Sequence, residues 1–490
     1  MSDDLSVAIV HYHLRPGGVT RVIEHACAAL AERGVAAVVL AGEPPHASMA
    51  SHLHVRVVEA LAYDADRPPA DPAWLAKRLT AAAAAALGRP PDLWHVHNHA
   101  LGKNAALPPA LRRLADNGRH LLLQLHDFAE DGRPGNYHHL LQHAGGGDPA
   151  RLGRQLYPQA PHVHYAVING RDLGYLRAAG VPQENAHLLA NAASMSAPPP
   201  EADPPHRPGR LFLYPTRAIR RKNLGEFLLW SAVADEGDRF GVTRAPLNPD
   251  ARSIYERWIS AATRLRLPVE FELGERSGRP YVALLASAFA LVTTSVAEGF
   301  GLVFLEPWLI GRPLVGRNLP RITAEIRDAG VDLSALYEWV GVPLEWIGRT
   351  ALAERVHAAM ARSCAAYGLT CGPAEVEAAM DDMVRGDHVD FGRLDEPMQE
   401  QVIARVRESK SDAAHLTPPR LVGAHAADAG RIARNRDAVR GQFSLEQYGR
   451  RLIAVYERVL ASPTGPVTHI DAQRLLRQFM DPRRFSLLRT

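Results

Sequence analysis

The sequence predicts an α/β chain of two doubly wound domains, and three observations carry that expectation. Residues 5–13 read as a buried strand, residues 15–18 (RPGG) as a glycine turn, residues 19–34 as an amphipathic helix and residues 35–40 as a second strand. Residues 210–230 repeat the strand, turn and helix order. Between them, residues 197–209 (APPPEADPPHRPG) are too rich in proline for either element and are expected as an interdomain linker.

Composition sets the bounds. A chain of 490 residues is too long for one core and suits two domains with additions. Hydrophobic content of 47% and charged content of 22% are those of a globular protein. A net charge of +3 gives no warrant for nucleic-acid binding. Cys27, Cys364 and Cys371 are too few for a disulfide framework and have no metal-site spacing, so a reducing cytoplasm is expected. The acidic opening is no signal peptide, and no apolar run reaches the roughly eighteen residues of a membrane span. There is no internal repeat.

In the first helix Val19, Val22, Ile23, Ala26, Cys27 and Leu30 share one face, and Gly34 stops it. The turn at Gly17 and Gly18 serves either tight turning or close approach of a ligand. Residues 92–99 (DLWHVHNH) form a short strand with polar residues at its end. His95, His97 and His99 alternate and so are expected on one face. A metal reading lacks acidic partners, and no metal site is expected there. Residues 120–128 (HLLLQLHDF) are an apolar strand ending in His126 and Asp127, where an open α/β sheet has its ligand crevice. His126 there either bonds a ligand or merely caps the strand. The polar loop 129–139 carries Asp131, Arg133, Asn136 and Tyr137. Residues 164–170 and 186–194 are the last strands of the first domain.

In the second domain, Arg217 and Lys222 lie at a strand's end and a helix's start, with Arg220 and Arg221 between them. Such cations either hold a diphosphate, arginine by its fork and lysine as a point charge, or form a solvated face. Residues 268–276 (PVEFELGER) read as a strand with a turn. Residues 291–308 (LVTTSVAEGFGLVFLEPW) read as an apolar strand, a glycine loop and a helix start, with Glu298 and Glu306 eight positions apart. Gly299 and Gly301 leave backbone N–H groups open to an anion, and ionised carboxylates accept bonds from sugar hydroxyls. Residues 312–318 are a strand with a basic turn. Residues 334–441 form a charged, helical insert, residues 443–460 a terminal helix, and the tail to Thr490 is basic.

Gly17 and Gly18, His126, Arg217 with Lys222, and EGFGLVFLE from Glu298 to Glu306 resemble, in kind and order, the retaining nucleotide-sugar-dependent glycosyltransferases of the GT-B fold, family 4. The resemblance covers most of residues 5–320 and 443–460. It implies two Rossmann-like domains facing a cleft. The expected domains are 1–196 on the acceptor side, a linker at 197–209, a donor-nucleotide domain at 210–441 with its insert, and 442–490 returning to the first domain. It implies donor contacts from Gly17, Gly18, Arg217, Lys222, Gly274, Glu275, Glu298, Gly299, Phe300, Gly301, Leu302 and Glu306. Glu298 would hold the transferred sugar and Glu306 the ribose, while His126, Glu298, Arg217 and Lys222 would act in catalysis.

His97, Lys103, Asp127, Arg133 and Tyr137 are the acceptor-side candidates. The function expected is metal-independent transfer of a hexose from a nucleotide diphosphate sugar to an acceptor hydroxyl, with no cofactor. A small polar or phosphorylated acceptor, a homodimer and peripheral attachment to the inner membrane surface through the basic tail are left open. Two other readings stand beside it: a sugar-nucleotide epimerase of the same fold, and a non-catalytic nucleotide-sugar-binding or interaction protein.

Overall fold

The structure is a computed structural model that describes residues 5–45, 53–64, 68–196, 209–421 and 428–490. The proline-rich stretch therefore lies, apart from Gly209, outside the described residues. The chain divides into two compact units. Met1–Ala192 with Phe443–Met480 make the first, and Ala193–Gln442 with Asp481–Thr490 the second.

The first unit is built on a seven-stranded parallel sheet. Its strands are β1 (Ser6–His11), β2 (Ala36–Ala41), β3 (Val55–Val57), β4 (Leu93–His97), β5 (His120–Leu125), β7 (Val163–Val167) and β8 (Ala186–Leu188), in the order β3-β2-β1-β4-β5-β7-β8. The short β6 (Pro158–Gln159) pairs instead with Thr468–His469. β1 is buried along its whole length, as a central parallel strand covered on both faces must be. The order runs outward in both directions from the β1–β4 pair, so the topological switch point lies between their carboxyl ends. The helix Gly18–Ala31 buries Val22, Ile23, Ala26 and Leu30. Against it packs the helix Leu445–Ala461 through Tyr448, Leu452, Val455, Tyr456 and Val459. Gly449 permits the approach, because a Cβ there would stand 2.9 Å from that of Ala29.

The second unit holds a five-stranded parallel sheet of β9 (Leu211–Arg217), β10 (Arg239–Arg244), β11 (Val269–Glu270), β12 (Ala290–Thr293) and β13 (Leu314–Gly316), in the order β11-β10-β9-β12-β13. Its switch point falls between β9 and β12. Residues 268–276 differ from the expected strand and turn. β11 stops after two residues because Glu272 takes a left-handed φ of 57°, and Leu273–Arg276 is a single helical turn.

The stretch 334–441 is not purely helical. Alongside its helices, β14 (Gly341–Pro343), β15 (Val384–Arg385) and β16 (His388–Asp390) form an antiparallel sheet in the order β14-β16-β15. Strands of two or three residues about Gly386 (φ 61°) leave no alternation to read in the sequence. Nor is the stretch an appendage. Val340, Val342, Met383, Phe391, Leu394 and Val402 share one apolar core with Phe227, Trp230 and Phe240 of the parallel-sheet layer.

The basic tail is divided between the two units. Its last ten residues join the second, where the Arg393 guanidinium donates to the carbonyls of Arg483 (3.1 Å) and Phe485 (3.3 Å). Among the described residues no helix is long and apolar enough to cross a membrane.

Candidate functional site

The carboxyl end of β9 runs into the basic turn, and the carboxyl end of β12 into the glycine loop, so the sheet order brings the two loops side by side. Lys222 Nζ forms an ion pair with Glu298 Oε1, and Arg221 Nη1 lies 3.8 Å from Glu298 Oε2. The Glu298 side chain is only 8% exposed. Burial raises its carboxyl pKa, but the charges of Lys222 and Arg221 outweigh burial and hold the group below its ordinary value. Arg217 is exposed at the end of β9, with no side-chain partner among the described residues.

Backbone and hydroxyl bonds tie the two loops together. Val296 N–H donates to the Arg221 carbonyl (3.0 Å), and Arg221 Nη1 donates to the Ala297 carbonyl (3.3 Å). Thr294 Oγ1 donates to the carbonyls of Lys222 (3.1 Å) and Asn223 (3.0 Å). The Tyr214 hydroxyl, kept protonated by burial and by the nearby Glu298 charge, donates to the Lys222 carbonyl (2.9 Å) and lies 2.9 Å from Ser295 Oγ.

Gly301 needs its left-handed φ of 87°, and a Cβ there would stand 2.7 Å from Phe304. Phe300 is buried, and Gly299, Leu302 and Glu306 are partly so. The helix start expected after this loop is a 3₁₀ turn, Leu302–Phe304, followed by four helical residues, Glu306–Leu309. Gly311 (φ 70°) follows at once. One turn sums little macrodipole, so the field offered to an anion comes chiefly from Lys222, Arg221 and Arg217. Gly274 is demanded by packing, since a Cβ there would stand 2.7 Å from the Thr243 carbonyl oxygen; Glu275 beside it is exposed. A cavity of about 1050 Å³ lies at the opposite, amino end of this sheet, among Arg210, Pro268, Phe289 and Lys410, and none of the donor candidates lines it.

In the first unit, Gly17 (φ 178°) and Gly18 follow β1, and a Cβ on Gly18 would meet nothing within 4 Å. Local packing does not demand glycine at 18. His97 and His126, at the ends of β4 and β5, stack at 5.3 Å with Nδ1 of one 3.0 Å from Nε2 of the other. Burial, then the charge of His95, pushes His126 down to about 3, and burial holds His97 far below its ordinary value, so the pair is neutral at neutral pH.

Asn98, at a left-handed φ of 57°, accepts on Oδ1 the N–H groups of His126 (2.7 Å) and Asp127 (3.1 Å). That residue ends the strand and overturns the expected single face of three histidines. His95 and His97 lie 4.3 Å apart, whereas His99 turns away to the Leu156 carbonyl at 2.8 Å. His95 pairs instead with Gln124 Oε1 and the Tyr456 hydroxyl, each at 2.8 Å. Among the described residues no group of three His, Cys, Asp or Glu side chains is placed to hold a metal ion.

Of the other acceptor-side candidates, Lys103 sits 5.7 Å over the Tyr63 ring, and Arg133 pairs with Asp127 at 2.5 Å. Tyr137 is 3% exposed, and its hydroxyl hydrogen-bonds Gln473 of the same unit.

Sequence reasoning passed over Arg221, although it sits in the same basic run. It also passed over Glu130, a fully buried carboxyl that burial pushes up to about 7 and that accepts the Tyr157 hydroxyl at 2.9 Å. No local pattern marks Glu130, because its partner comes from a distant helix end.

Residues 17–192 match the family model described as a glycosyl transferase 4-like domain. That match lies within the first unit. Mannosylglucosyl-3-phosphoglycerate synthase of Petrotoga mobilis is 27% identical over 234 residues, 44% of this chain and 44% of that protein, so the match spans less than half of the relative. Among solved structures, Anabaena HepE in complex with UDP covers 92% of this chain and 100% of its own, with a TM-score of 0.56 at 13% identity. Sucrose-phosphate synthase of Thermosynechococcus elongatus covers 93% and 99%, with a TM-score of 0.51 at 16% identity. The fold is therefore GT-B, with two Rossmann-like domains.

Proposed function

We propose that this chain is a retaining glycosyltransferase that moves a hexose from a nucleoside diphosphate sugar to a hydroxyl of a small, phosphorylated acceptor without a metal ion. One observation carries the reading: the Lys222–Glu298 pair, with Arg221 and Arg217 beside it, stands at the switch point of the second sheet.

There the cations receive the leaving diphosphate. As the bond from the anomeric carbon to the phosphate oxygen breaks, its electron pair passes to that oxygen, and Lys222, Arg221 and Arg217 stabilise the developing charge. Glu298, held ionised, accepts hydrogen bonds from the sugar's hydroxyls. The acceptor oxygen attacks from the face the phosphate leaves, and its proton passes to the departing phosphate oxygen. Within the first unit, the open backbone of Gly18 and the neutral His126, which can donate one hydrogen bond without adding charge, are themselves suited to a polar ligand.

Complexes of Anabaena HepE with UDP, and with UDP and glucose, favour a uridine diphosphate donor as the first to try. The Petrotoga relative is a mannosylglucosyl-3-phosphoglycerate synthase, a name that favours a phosphorylated acceptor. Three free thiols suit a reducing cytoplasm.

The deciding measurement is a thermal-shift panel of uridine, guanosine and adenosine diphosphate sugars. A selective rise in Tm with one donor is expected from binding to the folded state. Acceptor screening and product stereochemistry follow from that donor. No shift with any donor, in folded protein, overturns the reading, and isomerisation of the donor without an acceptor replaces it with the epimerase.

A further inference from the structure

The basic turn Arg220–Lys222 is one 3₁₀ turn, closed by Asn223 at a left-handed φ of 51°. Such a turn does not hold its shape unaided. The loop after β12 supports its carbonyls, as described above. Its side chains are gripped from elsewhere. Arg220 makes a two-pronged pair with Glu396 (2.5 and 2.8 Å) and donates to the carbonyls of Leu487 (3.2 Å) and Thr490. Gln399 Nε2 donates to Asn223 Oδ1 (2.9 Å) and to the Phe391 carbonyl (3.0 Å). Asn223 Nδ2 donates to Glu226 (2.8 Å), whose carboxylate lies on Arg317, and Arg317 is shared with Asp390 at 2.8 Å. Gly225 completes the fit, because a Cβ there would fall 2.1 Å from Gln399 Oε1.

Arg220 and Asn223 are thus anchored to the stretch 390–399 and to residues 487–490. Arg221 and Lys222 between them are left to the Glu298 side. We propose that this stretch and the terminal residues brace the basic turn, and that Glu396 and Gln399 are positioning residues for the diphosphate-binding Lys222 and Arg221. This inference rests on the donor-site reading above and assigns a role to the stretch after β13. A turn held in the bound geometry loses no affinity to ordering. An unbraced turn binds more weakly in proportion to the fraction of time it is competent.

The test uses the full chain with Glu396→Gln and Gln399→Ala, and Glu400→Gln as the control. Glu400 lies on the same helix but pairs outward with Arg257 (2.8 Å) and Arg264 (2.5 Å). Three quantities are read: Tm, the Kd for UDP by calorimetric titration, and hydrogen exchange of the peptide spanning 217–226. Glu396→Gln and Gln399→Ala should raise Kd by roughly tenfold, as a competent fraction of one tenth requires, and speed exchange in that peptide. Glu400→Gln should lower Tm yet leave both unchanged. Variants that lose Tm with Kd and exchange unaltered overturn the brace and leave the donor site standing. Wild-type protein that binds no nucleoside diphosphate overturns the donor site, and the positioning role with it.

Discussion

Lys222 and Glu298 meet across 76 positions of sequence, on loops that leave two adjacent parallel strands. The pair is mostly buried, so removing one member strands the other. Lys222→Ala should cost about 3 kcal/mol, the low end for breaking a buried pair, since Arg221 remains nearby. It should also abolish binding of the donor's diphosphate. Lys222→Ala with Glu298→Gln should recover most of the stability and none of the binding. Urea unfolding and UDP titration on the two variants separate these effects. Because the Glu298 carboxyl lies below its ordinary 4.5 in the folded chain, the pair's contribution is complete above that pH and fades as pH falls through the folded value.

Gly18 offers a cleaner test of ligand approach. A Cβ there meets nothing within 4 Å, so Gly18→Ala should leave Tm unchanged. If the donor lies against this backbone, its KM rises by about tenfold or more, or about 1.4 kcal/mol. Steady-state kinetics with the donor found in the panel checks this, and an unchanged KM removes Gly18 from the site.

The first unit should be acid-sensitive. His11 and His126 are pushed down to about 3, and His95 and His99 to about 4, chiefly by burial, from an ordinary 6.5. Above 6.5 both folded and unfolded chains hold these rings neutral, and their contribution is complete. Below it the unfolded chain takes protons that the folded one refuses. Stability then drops by up to about 1.4 kcal/mol per pH unit for each ring until the folded values are reached. Glu130, raised to about 7, pulls the other way, since the folded chain keeps a proton there that the unfolded chain has released. Calorimetry from pH 7.5 to 5 should show a falling Tm, and Glu130→Gln should steepen the fall.

Arg317 bridges Glu226 and Asp390 with both arms of its guanidinium, and Glu226 is fully buried. Arg317→Leu leaves two carboxylates without their cation and should destabilise the second unit by about 3–5 kcal/mol. In a calorimetric scan only the transition of that unit should move.

The donor candidates Lys222 and Glu298 were legible in the sequence because each lies five positions beyond a strand's carboxyl end, and the apolar strands announce those ends. Lys222 and Glu298 needed no knowledge of pairing to be singled out. The partners that hold them needed it. Glu396 reaches Arg220 over 176 positions, and nothing near either residue hints at the other. The small sheet of β14, β15 and β16 escaped for a different reason, being too short to carry alternation. His99 was misplaced because Asn98 turns the chain left-handed one residue earlier, a conformation that asparagine tolerates but does not announce.

The helix Leu445–Ala461 has a bearing on how the protein is made. His95 waits for Tyr456, 361 positions later, and the apolar face of the helix Gly18–Ala31 waits with it. At roughly 5–20 residues per second, a ribosome delivers that cover some 20–70 s after β4 has emerged. Throughout that interval the nascent first unit carries an uncovered hydrophobic stripe while Ala193–Gln442 of the second unit is synthesised. Chaperone demand should therefore persist until that helix emerges, and a ribosome stalled after β13 should leave an aggregation-prone fragment.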